Sequence, residues 1–378
     1  MTNKLLDIVE RITPALRRLH LCKVVYELLR MFVPQRNTKM SFAEAEQVLQ
    51  TIHRGSDASN VIPEAEAKPL EYEESGIAVI VPAYNAEDTI DDCLYSILSR
   101  QTLVRKKCCW KYSVIVVNDG STDHTAERLQ RYAGAIHVIT QPNGGLSAAR
   151  NAALDYLMDG QKPCPRYLMF VDADDRLDPQ MIDILLQQRV EGGSVECGYR
   201  RVTRDGKIID IQRPPHGFAC GKLVDAELFH RVRFPVGYWH EDGIWTTLIA
   251  PRLTERRCIS YYLGYLYTMT PGSITNSERN DARVLDIYWM CKRENDDRLL
   301  LRIPDTQEFY EECLDDVRRV GSQTWRLPEC EAYIAAMMHE MNSARFAAYS
   351  AKDWRMRQIE RPLRRGDLTG VVLAALLI

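Results

Sequence analysis

Short apolar runs alternate with helical patterns from residue 77 onward, and this alternation constrains the fold more than any other feature. Residues 77–81, 113–118, 136–140 and 167–171 are runs rich in Val and Ile, the first bounded by Gly76 and Pro82. Residues 86–100, 125–133 and 146–158 between them show helical spacing. Strands that take turns with helices predict a parallel sheet covered on both faces. Residues 195–212 read as further strand with a hairpin turn at Gly206, and the chain beyond Asn280 reads as mainly helical.

The flanks have a different texture. Residues 1–34 read as one helix, with Leu5, Ile8, Val9, Ile12, Leu16 and Leu19 at three- and four-residue steps. Lys4, Arg11, Arg17, Arg18, Lys23 and Arg30 are interleaved. Such a helix suits packing on its own domain or on a second subunit, which would give a homodimer. It equally suits lying on an anionic membrane surface. Residues 41–53 form a short helix capped by Ser41, with Glu44 completing a capping box. Residues 55–74, polar and rich in Ala, Pro and Glu, read as a linker. At the other end Arg357, Arg361, Arg364 and Arg365 precede an apolar tail, residues 371–378, too short to span a bilayer. That tail docks into the core, a partner subunit or the membrane interface. The expected division is residues 1–75 as helical extension and linker, 76–280 as the α/β domain, and 281–378 as a helical region.

Composition narrows the class. A net charge of −3 over 378 residues argues against a basic nucleic-acid binder. Eleven cysteines, an odd number, show no zinc-site spacing, Cys108 and Cys109 being adjacent. With no secretory leader pattern at the start, they read as reduced thiols of a cytoplasmic protein, at the inner face of the cell membrane if the flanking segments bind lipid.

Ligands of an open parallel α/β sheet bind at the carboxyl ends of its strands. Here those ends carry Pro82-Ala-Tyr-Asn85, then Asn118-Asp-Gly-Ser-Thr-Asp123, then Asn143-Gly144-Gly145 leading to Arg150, then Asp172-Ala-Asp174-Asp175. Residues two apart on an extended chain point the same way, so Asp172 and Asp174 face one ligand. A hard divalent cation, Mn²⁺ or Mg²⁺, relieves their repulsion and bridges a diphosphate. Asp119 can accept a hydrogen bond from a base or close an Asx turn, and Asp123 suits a helix cap. Gly144 and Gly145 allow close approach of backbone to a ligand or simply make a turn. Arg150 can reach a phosphate or pair with an acidic neighbour. Far downstream, Glu241-Asp242 precedes an apolar helical run, residues 244–253, where a carboxylate also serves as a plain helix cap.

In this order, the PxYN, NDGSTD, NxGxSxARN, DADD and HED motifs resemble the family 2 glycosyltransferases, α/β enzymes of the GT-A fold with a Rossmann-like mixed sheet flanked by helices. The resemblance runs from about Gly76 to about Thr275. Residues 220–223, 233–235 and 271–275 add likeness to bacterial members that build surface polysaccharides and exopolysaccharides. The resemblance implies that Pro82, Tyr84, Asn85 and Glu87 line a nucleotide pocket and that Asp119 reads the base. Gly145, Arg150, Asp172 and Lys222 would lie along the nucleotide-sugar. Asp174, with Asp172 and Asp175, would hold the metal, and Asp242 would be the catalytic base. It implies an inverting transfer of one sugar, since the QxxRW motif of processive members is absent. The donor would be a nucleotide-sugar, most simply a UDP-sugar, and the acceptor a glycan or a lipid-linked carrier. Two other classes compete: a non-catalytic nucleotide-sugar-binding scaffold, and a sugar nucleotidyltransferase. The latter class carries a Gly-rich basic loop after the first strand, where this chain has Pro82-Ala-Tyr-Asn85.

Overall fold

Strand β1 (Tyr72–Ala83) is the pivot of a mixed nine-stranded sheet. On one side lie β2 (Lys111–Asp119) and then β3 (His137–Gln141), all parallel. On the other side lies β4 (Cys164–Phe170), also parallel to β1. Beyond β4 the sheet turns mixed. Continuing in chain order, the strands are β5 (Arg176–Leu177), β6 (Ser194–Val202), β7 (Ile208–Gln212), β8 (Lys222–Asp225) and β9 (Arg256–Thr268). β8 runs antiparallel to β4 and to β6, while β9 runs parallel to β6 and antiparallel to β5; β7 pairs only with β6. The chain builds outward from β1 in one direction and then crosses to β4, so the topological switch point lies between β1 and β4. That gap is where an α/β sheet opens a crevice.

The computed structural model describes residues 2–107, 110–214, 217–269 and 281–378. Cys108-Cys109 and residues 271–275, two features of the sequence reading, lie outside the described residues. The described chain forms two compact units, Ser56–Asn276 with Arg293–Ile303, and Met1–Gly55 with Ser277–Lys292 and Pro304–Ile378.

The first unit holds the sheet. Its central parallel strands β1, β2 and β4 are largely buried, β1 without interruption from Gly76 to Ala83, which is why they read as unbroken apolar runs, whereas the edge strand β3 is mostly exposed. The helices α4 (Ile90–Lys107), α5 (Thr125–Gln130), α6 (Leu146–Leu157) and α7 (Met181–Gln187) flank it. Residues 56–71 carry little regular structure, yet they are held down. Val61 bridges Val232, and the Ser56 and Ile62 N–H groups donate to the Val236 and Arg231 carbonyls at 2.9 and 2.8 Å. Polar composition there reflects one exposed side rather than a free tether.

The second unit is helical. Residues 1–34 form not one helix but two, α1 (Thr2–Arg18) and α2 (Cys22–Phe32), because His20 takes a left-handed φ of 55° that no helix continues. α3 (Phe42–Ile52) has the expected capping box between Ser41 and Glu44. α8 (Ile287–Leu300), divided between the units, is followed by α9 (Gln307–Thr324), α10 (Glu329–Met341), α11 (Trp354–Arg364) and α12 (Leu368–Leu377). Of the three places open to the apolar tail, it takes the core: as α12 it is buried on every face and packs against α1, α2, α9 and α11. The arginine Arg364 turns inward too, donating to Tyr310, Glu360 and the Met341 carbonyl. Truncating the fully buried Leu373 to Ala is expected to cost about 2–5 kcal/mol, read as a lower urea midpoint. An unchanged midpoint would contradict the central place of α12.

Candidate active site

The first two strand-end loops are laced together. The Asn85 side chain accepts the Thr122 N–H at 2.8 Å, and the Asn85 N–H donates to Ser121 Oγ at 3.1 Å. Ala86 N–H donates to Thr125 Oγ1, and Glu87 accepts the His124 N–H while its own N–H donates to Asp123. Asn85 holds a left-handed φ of 47°, uncommon for a residue with a side chain, and the lacing fixes it there. Pro82 is buried in β1, whereas Tyr84 is half exposed at the loop tip. Asp123, expected as a cap, stands one residue before the N-cap position, His124, and accepts the first N–H of α5, that of Thr125, at 2.9 Å. The side chain that closes the turn after β2 is that of Asn118, not Asp119: it accepts the Ser121 N–H at 3.1 Å.

Asp119 has another job. It is buried, and it accepts hydrogen bonds from Gln141 Nε2 at 2.7 Å, from the Gly144 N–H at 2.9 Å and from the Gly145 N–H at 2.8 Å. One carboxylate thus ties the end of β2 to the turn that starts α6. Gly145 has φ +86° there, which only glycine adopts without strain.

α6 delivers Arg150 to the middle of the site. Of the two partners its sequence setting allows, a phosphate or an acidic neighbour, this guanidinium has the acidic one: 1% of its side chain is exposed. Nη1 lies 3.0 Å from Glu241 and 3.4 Å from Asp242, and Nη2 lies 3.1 Å from Asp172. Nη2 also approaches Cys220 Sγ at 3.7 Å, and the Phe234 ring centre lies 5.0 Å from the guanidinium carbon. Arg150 Nε has no hydrogen-bond partner among the described residues. A buried cation with three carboxylates is held by charge, and it fixes theirs in turn. Burial raises the Asp242 carboxyl above the ordinary aspartate range, opposed by Arg150 and raised further by Asp172. Burial, then the Asp242 charge, raises Glu241 as well, against the pull of Arg150. Asp242 is 31% exposed, Asp172 29% and Glu241 10%, so two of the three carboxylates face outward.

Glu241 is therefore no cap. The residues after Asp242 form a π-helical turn, Trp245–Ile249, and a 3-10 turn, Ala250–Arg252, rather than one regular helix. Wide turns of this kind recur at functional sites because they re-aim the residues before them. The Ala219 N–H donates to Asp242 at 3.3 Å and completes its setting.

The three acidic residues after β4 divide their roles. Asp175 points inward, accepting the Tyr265 hydroxyl at 2.6 Å and the Thr268 N–H at 2.7 Å, and it is buried. Both of its oxygens are engaged by protein donors, so it stands apart from the expected ligand set. Burial and the neighbouring Asp174 and Asp172 raise its carboxyl. Asp172 and Asp174 are partly exposed. Among the described residues no three His, Cys, Asp or Glu side chains converge as a ready-made metal cage. Two hard carboxylates crowded at a strand end nevertheless fit a Mg²⁺-type ion, which commonly takes only one or two protein carboxylates and completes its shell with phosphate and water.

Lys222 also departs from expectation. Its Nζ is fully buried, paired with Glu196 on β6 and 4.8 Å from the Trp245 ring centre. Burial draws the lysine down to about 8, against the pull of its partner Glu196. Glu196 faces two cations, Lys222 and Arg256, which outweigh burial and hold it down at about 2. Glu241 as a partner of Arg150, and Tyr265 as the anchor of Asp175, carry no local sequence signal; Tyr265 sits in β9 among three other tyrosines.

Replacing Arg150 by Met leaves carboxylates buried without their cation, an expected loss of about 3–5 kcal/mol in urea unfolding. An unchanged stability would remove its role as their anchor. The depressed Glu196 contributes stability that is complete above the ordinary glutamate range and is lost as pH falls toward 2. The stability gap between wild type and Glu196→Gln is thus expected to shrink as the solution is acidified; a pH-independent gap would contradict the pairing.

Residues 78–240 match glycosyl transferase family 2. The chain is 31% identical over 175 residues to a chondroitin synthase of Pasteurella multocida, a match covering 44% of this chain and 17% of the synthase. It is 33% identical over 247 residues to the glycosyltransferase GlyA of Streptococcus pneumoniae, covering 57% of this chain and 32% of GlyA. Each match thus spans less than a third of the relative's own length. Among solved structures, residues 1–349 of TarS from S. aureus, in complex with UDP-GlcNAc, superpose with a TM-score of 0.58 at 18% identity, over 79% of this chain and 89% of that one. The sheet order, the strand-end motifs and these likenesses agree: residues 78–240 match the glycosyl transferase family 2 model, and the chain shares its fold with residues 1–349 of TarS.

Proposed function

We propose that this domain is the catalytic part of an inverting glycosyltransferase that moves one sugar from a UDP-sugar to an acceptor hydroxyl. The acceptor is a lipid-linked carrier or a growing cell-surface glycan. The observation that carries the reading is the Arg150 cluster, in which one buried guanidinium holds both Asp172 and the partly exposed Asp242. The expected base and the expected donor-side carboxylate thereby share one anchor at the switch point of the sheet.

Asp242 accepts the proton of the acceptor hydroxyl while the acceptor oxygen bonds to the anomeric carbon. The bond from that carbon to the diphosphate oxygen breaks, and its electron pair leaves with UDP. Attack from the face opposite the leaving group inverts the centre, so an α-linked donor gives a β-glycoside. The raised Asp242 carboxyl is the better proton acceptor for it, provided the solution is basic enough to ionise it. Asp174 with Asp172 would hold Mn²⁺ or Mg²⁺, which when bound supplies positive charge beside the leaving diphosphate. Tyr84, Asn85 and Glu87 on the laced first loop line the nucleotide end, with Pro82 beneath them and Asp119 fixing the Gly144-Gly145 turn beside it. Arg150 acts through the carboxylates it positions, and Lys222 supports the wall behind them.

UDP-GlcNAc, the ligand of TarS, is the first donor to try with candidate acceptors. Asp242→Asn is expected to lower the rate of transfer on the order of a thousandfold, with UDP affinity retained. Transfer that survives in Asp242→Asn, or a product that retains the anomeric configuration, would overturn the role of Asp242.

A further inference from the structure

α1 and α2 each carry two apolar stripes. On α1 the buried stripe is Leu6, Val9 and Thr13, and on α2 it centres on Tyr26. Both helices pack against α12, and Tyr26 also donates to the Gln358 carbonyl of α11. The second stripes face away from α12. Ile8, Ile12 and Leu19 recur at steps of four and seven, so they share one outer face. On α2 the outer stripe is Leu28, Met31 and Phe32, with Met31 75% and Phe32 78% exposed. Large apolar side chains exposed in a row along a helix are uncommon on a protein surface and mark an interaction face.

Charge selects what the face fits. Lys4, Arg11 and Arg18 recur every seven residues as an exposed stripe beside Ile8 and Ile12. The acidic residues of α1 are engaged by a cation: Asp7, on the flank of Lys4 and Arg11, and Glu10 pair with Arg326 at 2.8 and 2.6 Å. On α1 the outward face is therefore apolar with a basic border; on α2 it is apolar with Glu27 exposed beside Leu28, while Lys23 lies over the Trp354 ring and Arg30 pairs with Asp367. A second copy of the chain on a two-fold axis would bring like stripes of cations together, which is repulsive. An anionic lipid surface meets both features, taking the apolar row into its interface and the cations at its headgroups. No helix of the described residues is long and apolar enough to cross a membrane, so the contact lies along the surface.

We propose that the α1–α2 face docks on an anionic lipid bilayer. This holds whatever sugar the other unit transfers.

The test is flotation of the full chain with vesicles of phosphatidylcholine containing one-third phosphatidylglycerol, against phosphatidylcholine alone, at low and high salt. The protein is expected to float with the anionic vesicles at low salt and to be released by salt. Arg11→Gln with Arg18→Gln is expected to weaken the association roughly thirtyfold, and Met31→Asp with Phe32→Asp to abolish it. Both pairs of positions are exposed, so unchanged thermal melting and helical circular dichroism accompany these losses. Protein that stays in the soluble fraction with anionic vesicles overturns the proposal. So does a stable dimer in light scattering that becomes monomeric on Phe32→Asp, since a second copy would then own the face.

Discussion

Arg150 is the interaction on which the rest of the site depends. Removing a guanidinium from water is costly, and only close anions with good geometry offset the cost. Its anions come from distant parts of the chain: Asp172 follows β4, and Glu241 with Asp242 precedes the π-helical turn. α6 presents the cation, and α6 in turn starts at the glycine turn that Asp119 holds. A single chain of contacts therefore runs from the end of β2 to the carboxylate proposed to accept the acceptor proton. The geometry of Asp242 is inherited from the sheet through that chain.

Around this hub the site uses two kinds of carboxylate. Asp119, Asp175 and Glu196 are buried, and the described donors of the protein engage them. Asp172 and Asp242 are each held on one side and partly open on the other. The buried group fixes loops, and the open group is left to meet a ligand. Acidic residues of the same type within a few positions, such as Asp172 and Asp175, thus serve opposite purposes, and burial decides which.

The parallel strands β1, β2 and β4 were legible because burial writes them as continuous apolar runs, and the exposed edge strand β3 was legible from its short β-branched run, Val138-Ile139-Thr140. The strand-end motifs were legible because the sheet places every β1–β4 carboxyl end on one edge. What the chain does with long charged side chains was not legible. Arg150, Lys222 and Asp175 look alike whether they reach solvent or fold inward, and the partners that decide it, Glu241, Glu196 and Tyr265, lie 91, 26 and 90 residues away. The sequence left the tail three places for a related reason. Basic residues before an apolar stretch suit a membrane, but Tyr310 and Glu360 take in Arg364, and α12 completes a helical core instead. The exposed apolar face belongs to α1 and α2, where one helical pattern broken at His20 hides two stripes rather than one.

The most direct measurement is calorimetric titration of UDP into the wild type and Asp174→Asn, with Mn²⁺ and with EDTA. The account predicts binding to the wild type only with metal and little binding to Asp174→Asn under either condition. Binding by wild type and variant alike, indifferent to EDTA, would contradict a donor site built on the carboxylates after β4.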